Sequence, residues 1–381
     1  MIISACIFVQ KRNMVKQTTF ALAFILIGFL GLSKAPVSPT DTTKNIPAFI
    51  QNTKISGQWF LAYQYSMEDT VDYNKFLMRR AYLTFKTKLA KNLSARLTQD
   101  LTIDDQGDDA GNIEMRFKYL YLNYALPGFA FFTNAHFEFG QVHRPWLDFE
   151  EHINAYRVQG PMAMERSGLF NSAGFGVSFF TLIGKKMDNP YTKNVNSHYA
   201  GKYGSLALGI YNGGGYHAFE NNRSKNFETR LTLRPFPEKL PGLQISYFCI
   251  LGKGNIPEQP EFSLHNGFLS YENKFLVLTG QYFTGAGNSK GSLLADTLFH
   301  ADNYSGYSGF AEIKIPKSKL AVFFRYDHFE TKHAAYTKDI TIGGLSYRFT
   351  HKSKVLVDFQ NDDIGDNKNH YMAEIALEVH F

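Results

Sequence analysis

The chain ends Tyr371-Met372-Ala373-Glu374-Ile375-Ala376-Leu377-Glu378-Val379-His380-Phe381, a stretch with two chemically different sides. In an extended strand successive side chains point to opposite faces. Tyr371, Ala373, Ile375, Leu377, Val379 and Phe381 therefore share one side, and Met372, Glu374, Ala376, Glu378 and His380 share the other. The same alternation recurs upstream. Leu93, Ala95, Leu97 and Leu101 oppose Ser94, Arg96, Thr98 and Asp100, and Phe227, Leu231 and Leu233 oppose Glu228, Arg230, Thr232 and Arg234. Near 320–327, Leu320, Val322, Phe324 and Tyr326 oppose Ala321, Phe323, Arg325 and Asp327.

Working outward, sixteen candidate strands follow one another: 55–65, 76–88, 93–103, 114–125, 131–142, 173–183, 197–211, 226–235, 243–251, 262–272, 274–284, 304–315, 319–328, 338–349, 353–360 and 369–381. Their connections alternate in length. Lys91-Asn92, Leu126-Pro127-Gly128, Glu238-Lys239-Leu240-Pro241-Gly242, Asn273, Pro316-Lys317-Ser318 and His351-Lys352 are tight, whereas 66–75, 104–113, 143–172, 212–225, 252–261, 285–303, 329–337 and 361–368 are long and polar. The join at 184–196 breaks this pattern by being long where a short turn is expected. A soluble sandwich would also alternate, but sixteen hairpin-linked strands cannot all bury one face in a single core. Closing the sheet on itself removes edges that lipid would leave unsatisfied. The reading is an all-β fold: a transmembrane antiparallel β-barrel of about sixteen strands, with short turns at one end and long loops at the other.

Composition agrees. Aromatic residues make up 15% of the chain, with 35 Phe and 22 Tyr, as membrane-interface girdles require. At the N-terminus, Lys11, Arg12 and Lys16 precede the apolar run from Phe20 to Leu32, and Ser33-Lys34-Ala35 supplies small residues. That is a cleaved signal peptide over 1–35, with Met14 as an alternative start; an uncleaved anchor is the competing reading. Residues 36–54 then form a short periplasmic segment and 55–381 the barrel. Residues 1–35 hold four cations and no acid, so they supply four of the six formal charges and leave +2. A balance that small gives no basic face for nucleic acid. Cys6 falls in the signal and Cys249 stands alone, so no disulfide framework or cysteine metal site is expected.

Candidate solute contacts on the wet faces are Arg80, Lys86, Arg96, Arg230, Arg325 and Glu138, interleaved with Asp100, Glu228, Asp327, Glu374 and Glu378. Cross-strand charge pairing would explain such interleaving equally well. The 143–172 loop carries Arg144, Glu150, Glu151, Arg157 and Arg166, which as an inserted constriction would set a transverse field; an ordinary solvated outer loop is the alternative. Glu150-Glu151-His152 has no second cluster at ligand spacing, so no metal is expected. Asp104, Asp105, Asp108 and Asp109 do not follow calcium-loop spacing and read as solvated surface. Gly285-Ala286-Gly287-Asn288-Ser289-Lys290-Gly291 lacks the Gly-Lys-Ser/Thr ending and a following helix, so it reads as a flexible outer loop. No Gly-x-Ser-x-Gly elbow or His-Glu-x-x-His pair occurs, and neither an enzyme nor a cofactor is expected.

Several segments resemble the phosphate-selective porin O and P family: Phe76-Leu77-Met78-Arg79-Arg80-Ala81-Tyr82-Leu83, Gly140-Gln141-Val142-His143-Arg144-Pro145-Trp146, Leu208-Gly209-Ile210-Tyr211-Asn212-Gly213 and Arg230-Leu231-Thr232-Leu233-Arg234-Pro235. The resemblance runs from about residue 55 to the C-terminus. It implies a sixteen-stranded barrel, commonly a trimer, for passive diffusion of small solutes across the outer membrane of a Gram-negative bacterium. Its best-known members carry a ladder of arginines and a lysine cluster that guide anions. The mixed lining expected here departs from that pattern and leaves the sign of selectivity open. A terminal aromatic such as Phe381 resembles the assembly signal of outer-membrane proteins, which implies the barrel assembly machinery as a partner beside lipid and lipopolysaccharide. The expected function is a porin for small hydrophilic solutes or ions, with anions such as phosphate among them. A channel for hydrophobic solutes is the alternative, and a barrel phospholipase using Ser308 and His328 is a further one.

Overall fold

The computed structural model describes residues 48–68, 71–104, 110–216, 218–350, 352–365 and 368–381. The expected signal peptide over 1–35, residues 36–47 of the short segment, and Asp105, Asp108 and Asp109 lie outside the described residues. A four-residue helix, α1 (Ala48–Gln51), belongs to a separate N-terminal unit.

Among the described residues sixteen strands follow it. The first eight are β1 (Thr53–Glu68), β2 (Val71–Lys88), β3 (Leu93–Ile103), β4 (Ile113–Ala125), β5 (Phe132–His143), β6 (Ala173–Ile183), β7 (Gly204–Tyr211) and β8 (Asn226–Leu233). The second eight are β9 (Leu243–Lys253), β10 (Glu261–Glu272), β11 (Leu276–Ala286), β12 (Asn303–Lys314), β13 (Leu320–Thr331), β14 (Thr337–Arg348), β15 (Lys354–Ile364) and β16 (Lys368–His380). Each pairs antiparallel with its sequence neighbours, and β16 returns to β1 from Gln58 opposite His380 to Glu68 opposite His370. No strand edge is left open among the described residues, the arrangement of strands that lipid tolerates.

Burial follows the sequence alternation. In β16 Ala376 and Glu374 are buried while Ile375 and Tyr371 are exposed, and in β13 Phe323 and Arg325 are buried while Val322 and Phe324 are exposed. Register sets outward-facing Tyr247, Tyr282 and Tyr307 in one circumferential row through Gly267. At the end carrying the short turns, Trp59 meets Phe381 edge-on at 5.2 Å and Phe131 stacks on Tyr203 at 5.3 Å. These are the two aromatic belts of a membrane barrel.

Three departures from the sequence reading matter. β1 and β2 continue as strand through most of the expected 66–75 loop. The seventh strand begins at Gly204 rather than 197, because residues 184–203 form a long connector containing α4 (Asn189–Asn194), capped by the Asp188 side chain on the Tyr191 N–H. Finally, β-bulges interrupt strict alternation. Phe60 faces Arg80 but Leu61 faces Met78, so Arg79 is an extra residue; Thr98 faces Tyr119 but Gln99 faces Phe117, so Lys118 is another. Each bulge turns two successive side chains toward the lumen.

Candidate functional site: the lumen

The loop between β5 and β6, residues 144–172, folds into the barrel and carries α2 (Leu147–Glu151) and α3 (Ala163–Arg166). One of its faces is apolar. Trp146, Phe149, Ile153, Tyr156, Met162, Met164, Leu169 and Phe170 join one buried cluster with inward-facing Phe248, Phe268, Phe283, Phe310, Phe323, Ile342 and Leu356 of β9–β15. The Trp146 ring stacks on Phe248 at 5.3 Å and meets Phe268 edge-on at 5.1 Å. Side chains of this size contribute roughly 1.5–3 kcal/mol each when fully buried, so this contact is the main force seating the loop.

Polar anchors fix its register. The fully buried Arg144 guanidinium pairs with Glu228 of β8, with Nε to Oε1 at 2.7 Å. Arg230 donates to the Pro145 carbonyl at 2.8 Å and to the Ser205 and Thr232 hydroxyls, and lies 4.1 Å over the Phe149 ring. Glu150 accepts from Trp146 Nε1 at 2.8 Å and Gln281 Nε2 at 2.7 Å. Burial raises the Glu150 carboxyl to about 7 against the opposing pull of Arg325 and these two donors. Arg325 pairs with Asp327 at 2.7 Å and donates to the Pro161 carbonyl at 3.0 Å. Gln159 bonds Gln360 at 2.7 Å, and the Ser289 N–H donates to the Leu169 carbonyl at 2.9 Å. The glycine-rich 285–291 segment, expected to be a flexible outer loop, is thus tied to the lumen loop.

These contacts correct part of the sequence reading. Arg144, Arg230 and Glu150 have at most 4% of their surface exposed, and Arg325 also 4%, so they hold the loop and offer nothing to a solute. Glu138 is as deeply buried and pairs with His143 Nδ1 at 2.8 Å. Arg166 bonds Gln159 at 2.9 Å, and burial lowers its guanidinium to about 10. Ser308 and His328 cannot form a catalytic pair. Ser308 faces the lumen and donates to Asp327 at 2.6 Å, while His328 faces outward and pairs with Asp339 at 2.9 Å.

The opposite wall, β1–β5, is polar and basic. Arg80 and Arg116 flank Asp100 at 3.4 and 3.1 Å. Arg96 donates to Thr98 at 3.0 Å, bonds His143 Nε2 at 2.9 Å and lies 4.5 Å over the Tyr119 ring. Lys118 sits 4.7 Å over Tyr82, and Arg79 pairs with Glu374. Across from this wall the loop presents a charged rim, where Arg157 bridges Glu151 at 3.1 Å and Glu165 at 3.2 Å. Burial opposes the charge of Arg157, yet these two carboxylates hold its guanidinium above the usual value.

Toward the end with the short turns the gap widens into a cavity of ≈ 1710 Å³. Among the described residues its lining carries twelve Lys and Arg against four Asp and Glu. The cations include Lys86 and Arg96 from the wall, Lys185, Lys186 and Lys193 from the β6–β7 connector, Lys274 and Lys352 from the turns, and Arg348 from the end of β14. Of the expected solute contacts, Lys86 and Arg96 line this cavity, Glu138 borders it but is only 4% exposed and paired with His143, and the Arg80 side chain is 30% exposed. Sequence reading missed Arg79 and Lys118 because strict alternation assigns them outward, and missed the turn lysines because turns were read only as punctuation.

The sequence matches the family of phosphate-selective porins O and P over residues 53–248. No curated protein matches it. Among solved structures, OmpF of Salmonella typhi superposes with a TM-score of 0.58 at 11% identity, covering 86% of this chain and 97% of that one. An anion-selective porin from Comamonas acidovorans gives 0.57 at 10%, covering 86% and 99%. OmpT of Vibrio cholerae in its trimer form gives 0.54 at 10%, covering 86% and 99%. Likeness at this identity concerns the fold; the family match goes further, since it spans half of the chain and begins in the first strand of a closed barrel with a polar, cation-lined lumen. The chain belongs to the phosphate-selective porin O and P family and forms an outer-membrane channel for small solutes.

Proposed function

We propose that the channel prefers small anions, with phosphate-sized oxyanions in the accessible class, and performs no catalysis. The single observation carrying this reading is the charge of the inner vestibule, a threefold excess of cationic over anionic side chains around ≈ 1710 Å³. A passage walled by one sign in a low-dielectric surround concentrates counter-ions and speeds their passage. Arg79, Arg80 and Arg116 extend that field along the β1–β5 wall, and the Glu151–Arg157–Glu165 rim of the lumen loop faces them as a constriction. Local pairing with Asp100 and Glu374 tempers the field without reversing it.

In this reading residues 1–35 direct export and are removed, Phe381 serves recognition by the assembly machinery, and the outward aromatic belts contact lipid and lipopolysaccharide. Assembly is homotrimeric, a reading supported by the trimeric form of the Vibrio neighbour. The wall lacks the apolar passage a hydrophobic solute would need, because its apolar half is filled by the loop.

The test is the reversal potential of the purified mature protein in a planar bilayer under a tenfold potassium chloride gradient. A potential of the sign carried by chloride is expected; one carried by potassium overturns the anion reading.

A further inference from the structure

Two segments enter the lumen from opposite ends and meet. The lumen loop descends from the long-loop end, and the β6–β7 connector rises from the end with the short turns. At their junction the His152 and His198 rings lie 3.7 Å apart between centroids, tilted by 35°. Tyr199 of the connector donates to Asp148 of the loop at 2.6 Å and packs edge-on against Phe149. Asn196 donates to the His152 carbonyl at 2.9 Å and to Glu272 of β10 at 3.0 Å. No disulfide joins the two segments among the described residues. Their coupling depends on these few contacts, in which the titratable groups are the two imidazoles, Asp148 and the Glu272 carboxylate that Asn196 holds.

We propose that His152 and His198 form an acid-sensitive latch coupling the connector to the lumen loop, and through it to the bore. The proposal rests on the reading that the lumen conducts. The groups facing His198 are His152 and Asp148 from the loop, Lys86 from β2 and Lys352 from the β14–β15 turn. Asp148 lies 3.5 Å from His152 Nδ1 and 3.7 Å from His143 Nε2, with Arg96 nearby. Burial opposes its charge, yet His152, His143, Tyr199 and Arg96 hold its carboxyl well below the usual value. Asp148 is thus already engaged by His152, His143 and Tyr199. A proton on His198 meets His152, Lys86 and Lys352, opposed only by this shared carboxylate. The crowded vestibule wall and the His152 ring push the His198 imidazole down to about 4. An imidazole lowered in the folded state holds its contact above the ordinary value near 6.5 and loses it as pH falls toward 4. Protonation forces the rings apart and frees a segment that carries Lys185, Lys186 and Lys193 into the vestibule, where its movement interrupts the current.

The test is single-channel recording of the full mature barrel at pH 7 and pH 4. Wild type is expected to show steady openings at pH 7 and brief closures about tenfold more frequent at pH 4. His198→Phe, which keeps a stacked ring without a titratable nitrogen, is expected to stay steady at pH 4, and His152→Phe likewise. His198→Lys, with a permanent charge, is expected to close often at pH 7. Folding of each variant is checked by its heat-modifiable migration in detergent gels. Wild type steady at both pH values, or a folded His198→Phe that closes at pH 4 as often as wild type, overturns the latch. Absence of any current at pH 7 would instead strike the conducting-lumen reading.

Discussion

The two halves of the lumen obey different physics. Across β9–β15 the inner wall is apolar and sealed by Trp146, Phe149, Met162 and Phe170 of the lumen loop, so this half resembles the core of a soluble protein. Across β1–β5 the wall carries Arg80, Arg96, Arg116 and Lys118 among tyrosines and borders the gap that the loop leaves open. The first half holds a loop still, and in the proposed reading the second passes solutes. A barrel this wide would be an unselective hole if both walls were wet, and a plug if both were apolar.

The largest effect on this comparison is expected at its hinge. Arg144→Met leaves Glu228 buried without its partner, an error of about 3–5 kcal/mol. Thermal unfolding in detergent should fall accordingly, and conductance should rise as the loop loosens. The double variant Arg144→Met/Glu228→Leu should recover most of the stability. Trp146→Ala should cost about 3–5 kcal/mol through the cavity it opens and should also raise conductance, with anion preference retained. On the other wall the effect is on permeation, with stability spared. Lys86→Glu should lower the anion-to-cation permeability ratio several-fold while stability changes by less than about 1 kcal/mol, since Lys86 is exposed to the vestibule and has no close ion-pair partner among the described contacts. An unchanged ratio there would move the selective step elsewhere.

The last predicted effect is a slope in pH. Glu150 keeps its proton in the folded loop to about 7, whereas the unfolded chain releases it near 4.5. Its burial therefore favours the folded loop fully at acid pH, and that advantage is lost as pH rises from 4.5 to about 7. Glu150→Gln should flatten this part of the stability curve. A curve that keeps its slope in the variant would point to another group.

Much of the architecture was legible because side-chain alternation is strict wherever a strand separates lipid from water. The β3 and β6 boundaries coincide with those read from sequence, and β16 carries the two faces that its last residues display. The bulges were not legible. Arg79-Arg80 and Lys118-Tyr119 look like ordinary successive residues, and only pairing with β1 and β3 shows that both members of each face inward. The role of Arg144 and Arg230 was hidden for a related reason: an inward-facing arginine was read as facing water, although a folded loop covers it. One signal could have exposed this. A solvated loop has no use for Trp146, Phe149, Ile153, Met162, Met164 and Phe170 within one segment, so their presence marks a loop with an underside. The connector at 184–203 announced itself only as an irregularity, because its partners lie far away in sequence.

Thiol accessibility measures the division of the lumen most directly. In a Cys249→Ala background, Lys86→Cys and Phe283→Cys are each exposed to an anionic methanethiosulfonate reagent while current is recorded. Modification at Lys86→Cys, exposed in the vestibule, should proceed quickly and cut the anion current, and Phe283→Cys should stay unreactive behind the loop. Rapid modification and block at Phe283→Cys, with Lys86→Cys untouched, would contradict the account.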